Sequence, residues 1–413
     1  MWLLAKKFFL FIYVFLFLFN PTNFASFNLL YILSAVAVFN ILAFPGRYLF
    51  FLNSKYLLVL LFFLLYLVVY LLIFYFSGGL DSLYRIYIYF LVFFAVLCSL
   101  FVVVCFSRIY ANDFNLFSNF LIKVGVFQLL FVLLTLVFSD FRGWVLETSR
   151  IENIVSISND YGLRSYGFAN GYTSTFPMLM GLYALFMIYR VLNFKNLRIS
   201  FFYDLLLFGL FILSVVLNAR IGLVPVVIYV SFIFFTISYD LRRYPSFLLL
   251  ALLILFIFTF VDLDGYQQYF ERLLAGWYEA VEFFKGNYIG TFEVLSQMLH
   301  LPDDYFHLLW GYGLSVFGEQ DNFSFSSDIG FVKDVYLFGL VNTILLFFVL
   351  SYFSYPVFLY FKKKFGLFFV LSFFLSFVFY YAKGSIFAAS EVYNFLILLV
   401  IFQIYIKHNS KLI

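Results

Sequence analysis

A few residues in this chain have types and positions that suit chemistry. Arg220 sits in V-L-N-A-R-I-G-L, with apolar sequence on both sides. A charge placed there is costly unless it meets a partner or a wet cavity. The planar guanidinium fork matches phosphate and pyrophosphate oxygens two at a time. A side chain that merely reaches to the membrane interface is the other reading. Arg164 and Arg272 also precede or begin helical runs, whereas Arg142 and Arg150 read as ordinary interfacial cations. Lys383, in Y-Y-A-K-G-S-I-F, is a further cation held between two apolar runs. Asp328 ends S-F-S-S-D-I-G, with Lys333 and Asp334 following. An acid at a helix start is favoured by the helix dipole. The same carboxylate is also placed to act as a general base.

Other chemistry lacks its residues. The chain has no P-loop, no zinc pattern and no G-x-S-x-G. His300, His307 and His408 make no ligand spacing, and Asp262 with Asp264 reads as a helix-capping pair rather than a metal site. No cofactor or metal is called for. Cys98 and Cys105 share one apolar run about 10 Å apart along a helix, too far for a disulfide.

The elements that must position these residues are set by composition. Of 413 residues, 65% are hydrophobic and only 11% charged, where a soluble domain carries roughly 25% charged residues. That excludes a soluble enzyme, a nucleic-acid binder and a disordered chain. The apolar runs are continuous and helix-length rather than alternating, so the expected fold is an all-α polytopic membrane protein, one domain over residues 1–413 without repeats. About twelve spans are expected, near 4–19, 27–44, 56–76, 86–106, 117–138, 166–189, 201–217, 221–239, 246–261, 331–354, 365–381 and 391–406. The first run also resembles a signal peptide. The seventh and eighth, separated only by Asn218, Ala219 and Arg220, read as a possible broken or re-entrant pair.

With both termini placed in the cytoplasm, fifteen Lys and Arg fall inside and nine outside, while eighteen of twenty-one acids fall outside. Lys123 lies within a span and is left out of that balance. This positive-inside arrangement fixes the expected sidedness. It leaves two sizeable outer loops, about 139–165 and 262–330. In the larger, Tyr266, Phe270, Leu273, Trp277, Val281 and Phe284 follow helical spacing and predict an amphipathic helix, either a lid or an interfacial segment. A short helix is predicted from Thr291 to His300, stopping before Pro302.

At these residues the sequence resembles the Wzy-type O-antigen and capsular-polysaccharide polymerases, which are related in layout to the O-antigen ligases. The resemblance covers roughly residues 160 to 400. It rests on R-S-Y-G-F-A-N from Arg164 to Asn170, N-A-R-I-G-L around Arg220 and W-G-Y-G from Trp310 to Gly313. S-D-I-G-F, F-G-L at Gly339 and K-G-S-I-F at Lys383 complete it. Ligases usually carry a His-Asn pair before the span that follows the large loop. Here that stretch reads Ser327-Asp328, which favours polymerase over ligase.

The resemblance implies polymerisation of oligosaccharide repeat units on undecaprenyl pyrophosphate, at the outer face of a bacterial plasma membrane. A hydroxyl of an incoming lipid-linked repeat would attack the anomeric carbon of the donor, and undecaprenyl pyrophosphate would leave. On that reading Arg220 and Asp328 are catalytic, as pyrophosphate stabiliser and base. Arg164, Arg272, Lys383, Asn170, Gly311 and Gly313 bind substrate. A flippase and a chain-length regulator are the implied partners, and no nucleic acid is involved. The competing readings are an O-antigen ligase, and a flippase or transporter of the same lipid-linked sugar. The transporter reading expects repeats and charges along a path that this chain lacks.

Overall fold

The computed structural model describes residues 2–21, 28–76, 81–148, 167–169, 175–193, 199–237, 278–279, 281–282, 285–287, 289–314, 316, 326–384, 387 and 390–409. Among them no strand occurs. The helices are α1 (Trp2–Phe19), α2 (Leu30–Ala43), α3 (Leu49–Leu52), α4 (Lys55–Phe76), α5 (Asp81–Ile109), α6 (Phe114–Val137) and α7 (Ser139–Thr148). They continue with α8 (Thr175–Leu192), α9 (Ile199–Asn218), α10 (Val224–Ile237), α11 (Thr291–Gln297), α12 (Tyr305–Trp310), α13 (Gly330–Phe365), α14 (Leu367–Lys383) and α15 (Glu391–Asn409).

Eight of these are long and apolar enough to cross a bilayer, and three shorter apolar helices, α2, α10 and α14, accompany them. The chain is thus an all-α membrane-embedded protein. The expected span at 246–261 lies outside the described residues.

Two helices form the centre. In α8, 83% of the spanning window is buried, and in α15 78%. Every other spanning helix is less enclosed, with one face left for lipid. The interior is aromatic: Phe117 stacks on Phe402 at 3.8 Å and Tyr183 on Phe211 at 5.4 Å. Such offset ring pairs add to dispersion where no hydrophobic effect separates helix from lipid.

Contacts place the helix ends. Phe17 of α1 accepts a hydrogen bond from Asn394 of α15, and Lys7 lies over the Tyr110 ring. Trp2 and Asn409 therefore share one end of the bundle. The opposite end gathers the starts of α8 and α15, the end of α14 and the turn between α9 and α10.

Several boundaries differ from the sequence expectation. The helix expected from 166 is described from Thr175, while Gly167 is not helical (φ +56°) and Phe168 seats against Phe131, Phe141 and Trp144. The first ten residues of the expected loop 139–165 are helical, as α7. The helix expected over Thr291–His300 stops at Gln297.

The largest difference is in α13. Residues 330–365 form a helix broken at Gly339 (φ +82°, ψ +166°). Asp334 and Phe347 both touch Tyr381: the tyrosine hydroxyl donates to the Asp334 carboxylate, and the rings of Phe347 and Tyr381 lie 5.0 Å apart. In a straight helix thirteen residues span about 20 Å, so the half-helix Gly330–Phe338 folds across the remainder.

Candidate functional site

Arg220 opens a 3-10 turn, Arg220–Leu223, that joins α9 to α10. Ala219 is extended (φ −155°), which ends α9 and swings the arginine out of the helical path. The turn is pressed against the start of α8 through glycine. A Cβ on Gly222 would lie 2.2 Å from the Pro177 carbonyl oxygen. With its backbone wedged there, Arg220 presents a side chain that is 39% exposed, and Nη2 lies 3.7 Å from Glu279 Oε1. The acid comes from the large loop and is mostly enclosed, at 16% exposure. The cation is thus paired with a carboxylate from the loop while its side chain stays 39% exposed.

Asp328 precedes the half-helix Gly330–Phe338. It does not cap it: the N-cap is Ile329, without a side-chain cap, and the Ser327 hydroxyl instead accepts from the Ile329 amide. Asp328 faces Lys333 at 3.8 Å, with the lysine almost enclosed (11%) and the acid open (43%). Asp334, the residue after Lys333, is buried and takes the Tyr381 hydroxyl. Lys383 ends α14 beside this corner, where a Cβ on Gly330 would lie 2.5 Å from the Gly384 carbonyl oxygen.

The start of α8 links these parts. Tyr380 donates to the Met178 carbonyl, Thr175 donates to the buried Glu391 at the start of α15, and Pro177 meets the Arg220 turn. Arg220 with Glu279, Asp328 with Lys333, Asp334 with Tyr381, and Glu391 with Thr175 therefore line one end of the bundle on a common support. Arg164, Arg272 and Asn170 lie outside the described residues, as do Asp262, Asp264 and the predicted amphipathic helix except for helical residues at 278–279 and 281–282.

Gly311 and Gly313 have packing reasons for their identity. The segment Trp310–Gly313 seats on the break in α13: the Tyr312 amide donates to the Tyr336 carbonyl (2.7 Å) and the Gly313 amide to the Leu337 carbonyl (3.1 Å). Asn342 and Thr343 side chains satisfy the next two carbonyls, of Phe338 and Gly339. Broken backbone at membrane depth survives only where its polar groups are paired in this way. Gly311 and Gly339, both at positive φ, cross so closely that a Cβ on Gly339 would lie 2.1 Å from the Leu309 carbonyl oxygen. Gly313 lies against Phe74 of α4.

Beside this seat, Asp304 caps α12 through the Phe306 and His307 amides and holds the His307 ring through Nδ1. That ring stacks on Tyr312 at 4.0 Å, and Tyr312 on Tyr336 at 5.6 Å. The Phe306 amide, and then the His307 side chain, hold the Asp304 carboxyl below the usual carboxylate range.

Sequence reasoning missed Glu279, Lys333, the Asp334–Tyr381 pair and the Glu391–Thr175 pair as members of this end. Glu391 had a readable signal: it is the sole charge at the start of an apolar run. No family model, no curated protein and no solved structure matches the chain.

Proposed function

We propose that this protein polymerises oligosaccharide repeat units carried on undecaprenyl pyrophosphate. The growing glycan is the donor, and an incoming repeat supplies the hydroxyl. A new glycosidic bond forms at the donor's anomeric carbon, the bond to the pyrophosphate oxygen breaks, and undecaprenyl pyrophosphate departs. The observation that carries this reading is Arg220. Its guanidinium is paired with Glu279 at a membrane-helix break and its side chain is 39% exposed, a placement of positive charge that suits a pyrophosphate gaining charge as it leaves. The sequence resemblance supplies the substrate class.

In this reading Asp328 takes the proton of the attacking hydroxyl. Lys333, 3.8 Å away, orients that carboxylate. Lys383, Arg164 and Arg272 add positive charge for the second pyrophosphate, and Asn170 contacts the sugars. Twelve spans cross a bacterial plasma membrane, both termini are cytoplasmic, and the Arg220 end faces outward. The cations at the opposite end, among them Lys362, Lys363, Lys364 and Lys407, support that sidedness. A flippase delivers the repeat, and a chain-length regulator acts on the product.

The test is reconstitution in proteoliposomes with undecaprenyl-pyrophosphate-linked repeat units. Polymerisation yields a ladder of longer lipid-linked glycans and free undecaprenyl pyrophosphate. A repeat moved across the bilayer without a new bond, or a glycan transferred only to a different lipid acceptor, would replace this function with transport or ligation.

A further inference from the structure

The surface of α6 carries an anomaly far from the Arg220 end. Leu116, Leu130, Leu134 and Val137 are exposed along one face of this helix, 44%, 52%, 37% and 69% respectively. At 100° per residue they form a single stripe, and in a membrane-embedded protein an exposed leucine stripe faces lipid. Lys123 lies at the centre of that stripe and is exposed. It makes no hydrogen bond or ion pair with any described residue. Nine residues separate it from Phe114, the first residue of α6, which is about 14 Å of helix. A lysine facing hydrocarbon at that depth requires an anion or water within reach of its ammonium.

A second cation stands next to it. Asn119 is one turn closer to the start of α6 on the same stripe, where side chains four apart are neighbours. Arg190, near the end of α8, donates to Asn119 and keeps a partly exposed side chain (31%). Its other nitrogen is 4.0 Å from Asp204 of α9, so the guanidinium is held between Asp204 and Asn119 at the edge of the stripe. Lys364 lies near Arg190 and Asp113, so three cations face two carboxylates and leave a net positive charge beside the leucine stripe.

We infer that Lys123 and Arg190 form a binding site for a phosphate-bearing anion that is reached from the bilayer, namely the headgroup of an anionic phospholipid. The position suits the leaflet at the chain-termini end, where a headgroup drawn toward Arg190 meets the Lys123 ammonium reaching outward. Asn119 spaces the two cations. The leucine stripe beside Arg190 and Lys123 distinguishes this site from Lys364, which donates to Asn115 and Tyr360 and lies over the Phe114 ring. The site makes no use of the proposed polymerase activity and stands or falls without it.

The test uses the purified full chain, delipidated in detergent. Thermal unfolding is followed with added phosphatidylglycerol, phosphatidylcholine or inorganic phosphate, and retained lipid is counted by native mass spectrometry. Lys123→Leu completes the apolar stripe and preserves folding, while Lys123→Arg keeps the charge. The wild type is expected to retain phosphatidylglycerol and to be stabilised by it, with little response to phosphatidylcholine or phosphate. Lys123→Leu should bind phosphatidylglycerol about tenfold more weakly, the loss of one charged hydrogen bond, and Lys123→Arg should bind as the wild type does. Equal responses to the two lipids mean a lysine that only reaches for the interface, and overturn the site. Unchanged selectivity in Lys123→Leu overturns it as well. A full response to inorganic phosphate alone would assign the cations to a soluble anion and overturn the lipid.

Discussion

Gly181 and Gly222 meet backbone to backbone: a Cβ on Gly181 would lie 1.8 Å from the Gly222 carbonyl oxygen. This contact locks the turn that carries Arg220 onto α8. Gly181→Ala is therefore expected to push the turn away and destabilise the protein by about 1–3 kcal/mol, as overpacking does. Gly209→Ala, in α9 with open space around it, is the matched control and should be neutral or stabilising. Thermal unfolding in detergent distinguishes them. Equal melting temperatures for both variants would show that the turn is not held by this contact.

Arg220→Ala should lower polymer formation by about ten- to a hundred-fold, since a hydrogen bond to a charged group is worth roughly 1.5–3 kcal/mol. Arg220→Lys should recover part of that, because the charge remains without the fork. Glu279→Gln keeps the shape and removes the charge that orients Arg220, so a smaller loss is expected. Full activity in a well-expressed Arg220→Ala protein removes this residue from the reaction.

Asp328→Asn separates chemistry from structure. Asp328 caps no helix, and its partner is Lys333. The ion pair is half open to solvent, so its loss should change stability by no more than about 1 kcal/mol. Loss of a general base should lower the rate by about 10² to 10⁴. Single-turnover assays with retained donor binding give the comparison. A near-normal elongation rate in Asp328→Asn would transfer the role to another carboxylate at this end, with Glu391 first.

Acid should release α12. The Phe306 amide, and then the His307 side chain, hold the Asp304 carboxyl below its unfolded value of about 3.9. A depressed carboxylate stabilises the fold above the unfolded value, and that contribution vanishes as pH falls through the folded one. A dye on Cys in Tyr305→Cys should report undocking only below about pH 4. Adding Asp304→Asn should abolish that acid transition, and its persistence would place the titrating group elsewhere.

The helices were readable because apolar run length is a property of composition alone. Each expected span within the described residues contains an apolar helix, with ends shifted by local backbone. Arg220 was readable because a charge inside V-L-N-A-R-I-G-L conflicts with its surroundings. Its partner was not, since Glu279 occupies the ordinary polar face of an amphipathic stretch and only tertiary folding brings it to the turn. The break in α13 was hidden for a different reason. Gly339 stood out only as part of a family motif, since glycine is common enough in membrane helices that Y-L-F-G-L-V signals no break, and its counterpart Gly311 read as a substrate-binding residue rather than as a packing partner. Thr175 and Glu391 are 216 residues apart, a separation no local pattern reports.

The seat of Trp310–Gly313 on the broken helix has a consequence for biogenesis. The Tyr70 hydroxyl of α4 donates to the Trp310 carbonyl, joining residues 240 positions apart in the chain. The half-helix Gly330–Phe338 is nine residues long, less than half of the roughly 20 needed to partition into a bilayer unaided. Its position is therefore set after translocation, when the loop on α4 and the later helix α14 close on it from both sides. A nascent chain arrested before Gly311 would hold α4 in the membrane with its receiving surface vacant. Asp328 and Lys333 are accordingly among the last residues to reach their places, and a molecule caught before that step would be inserted yet inactive.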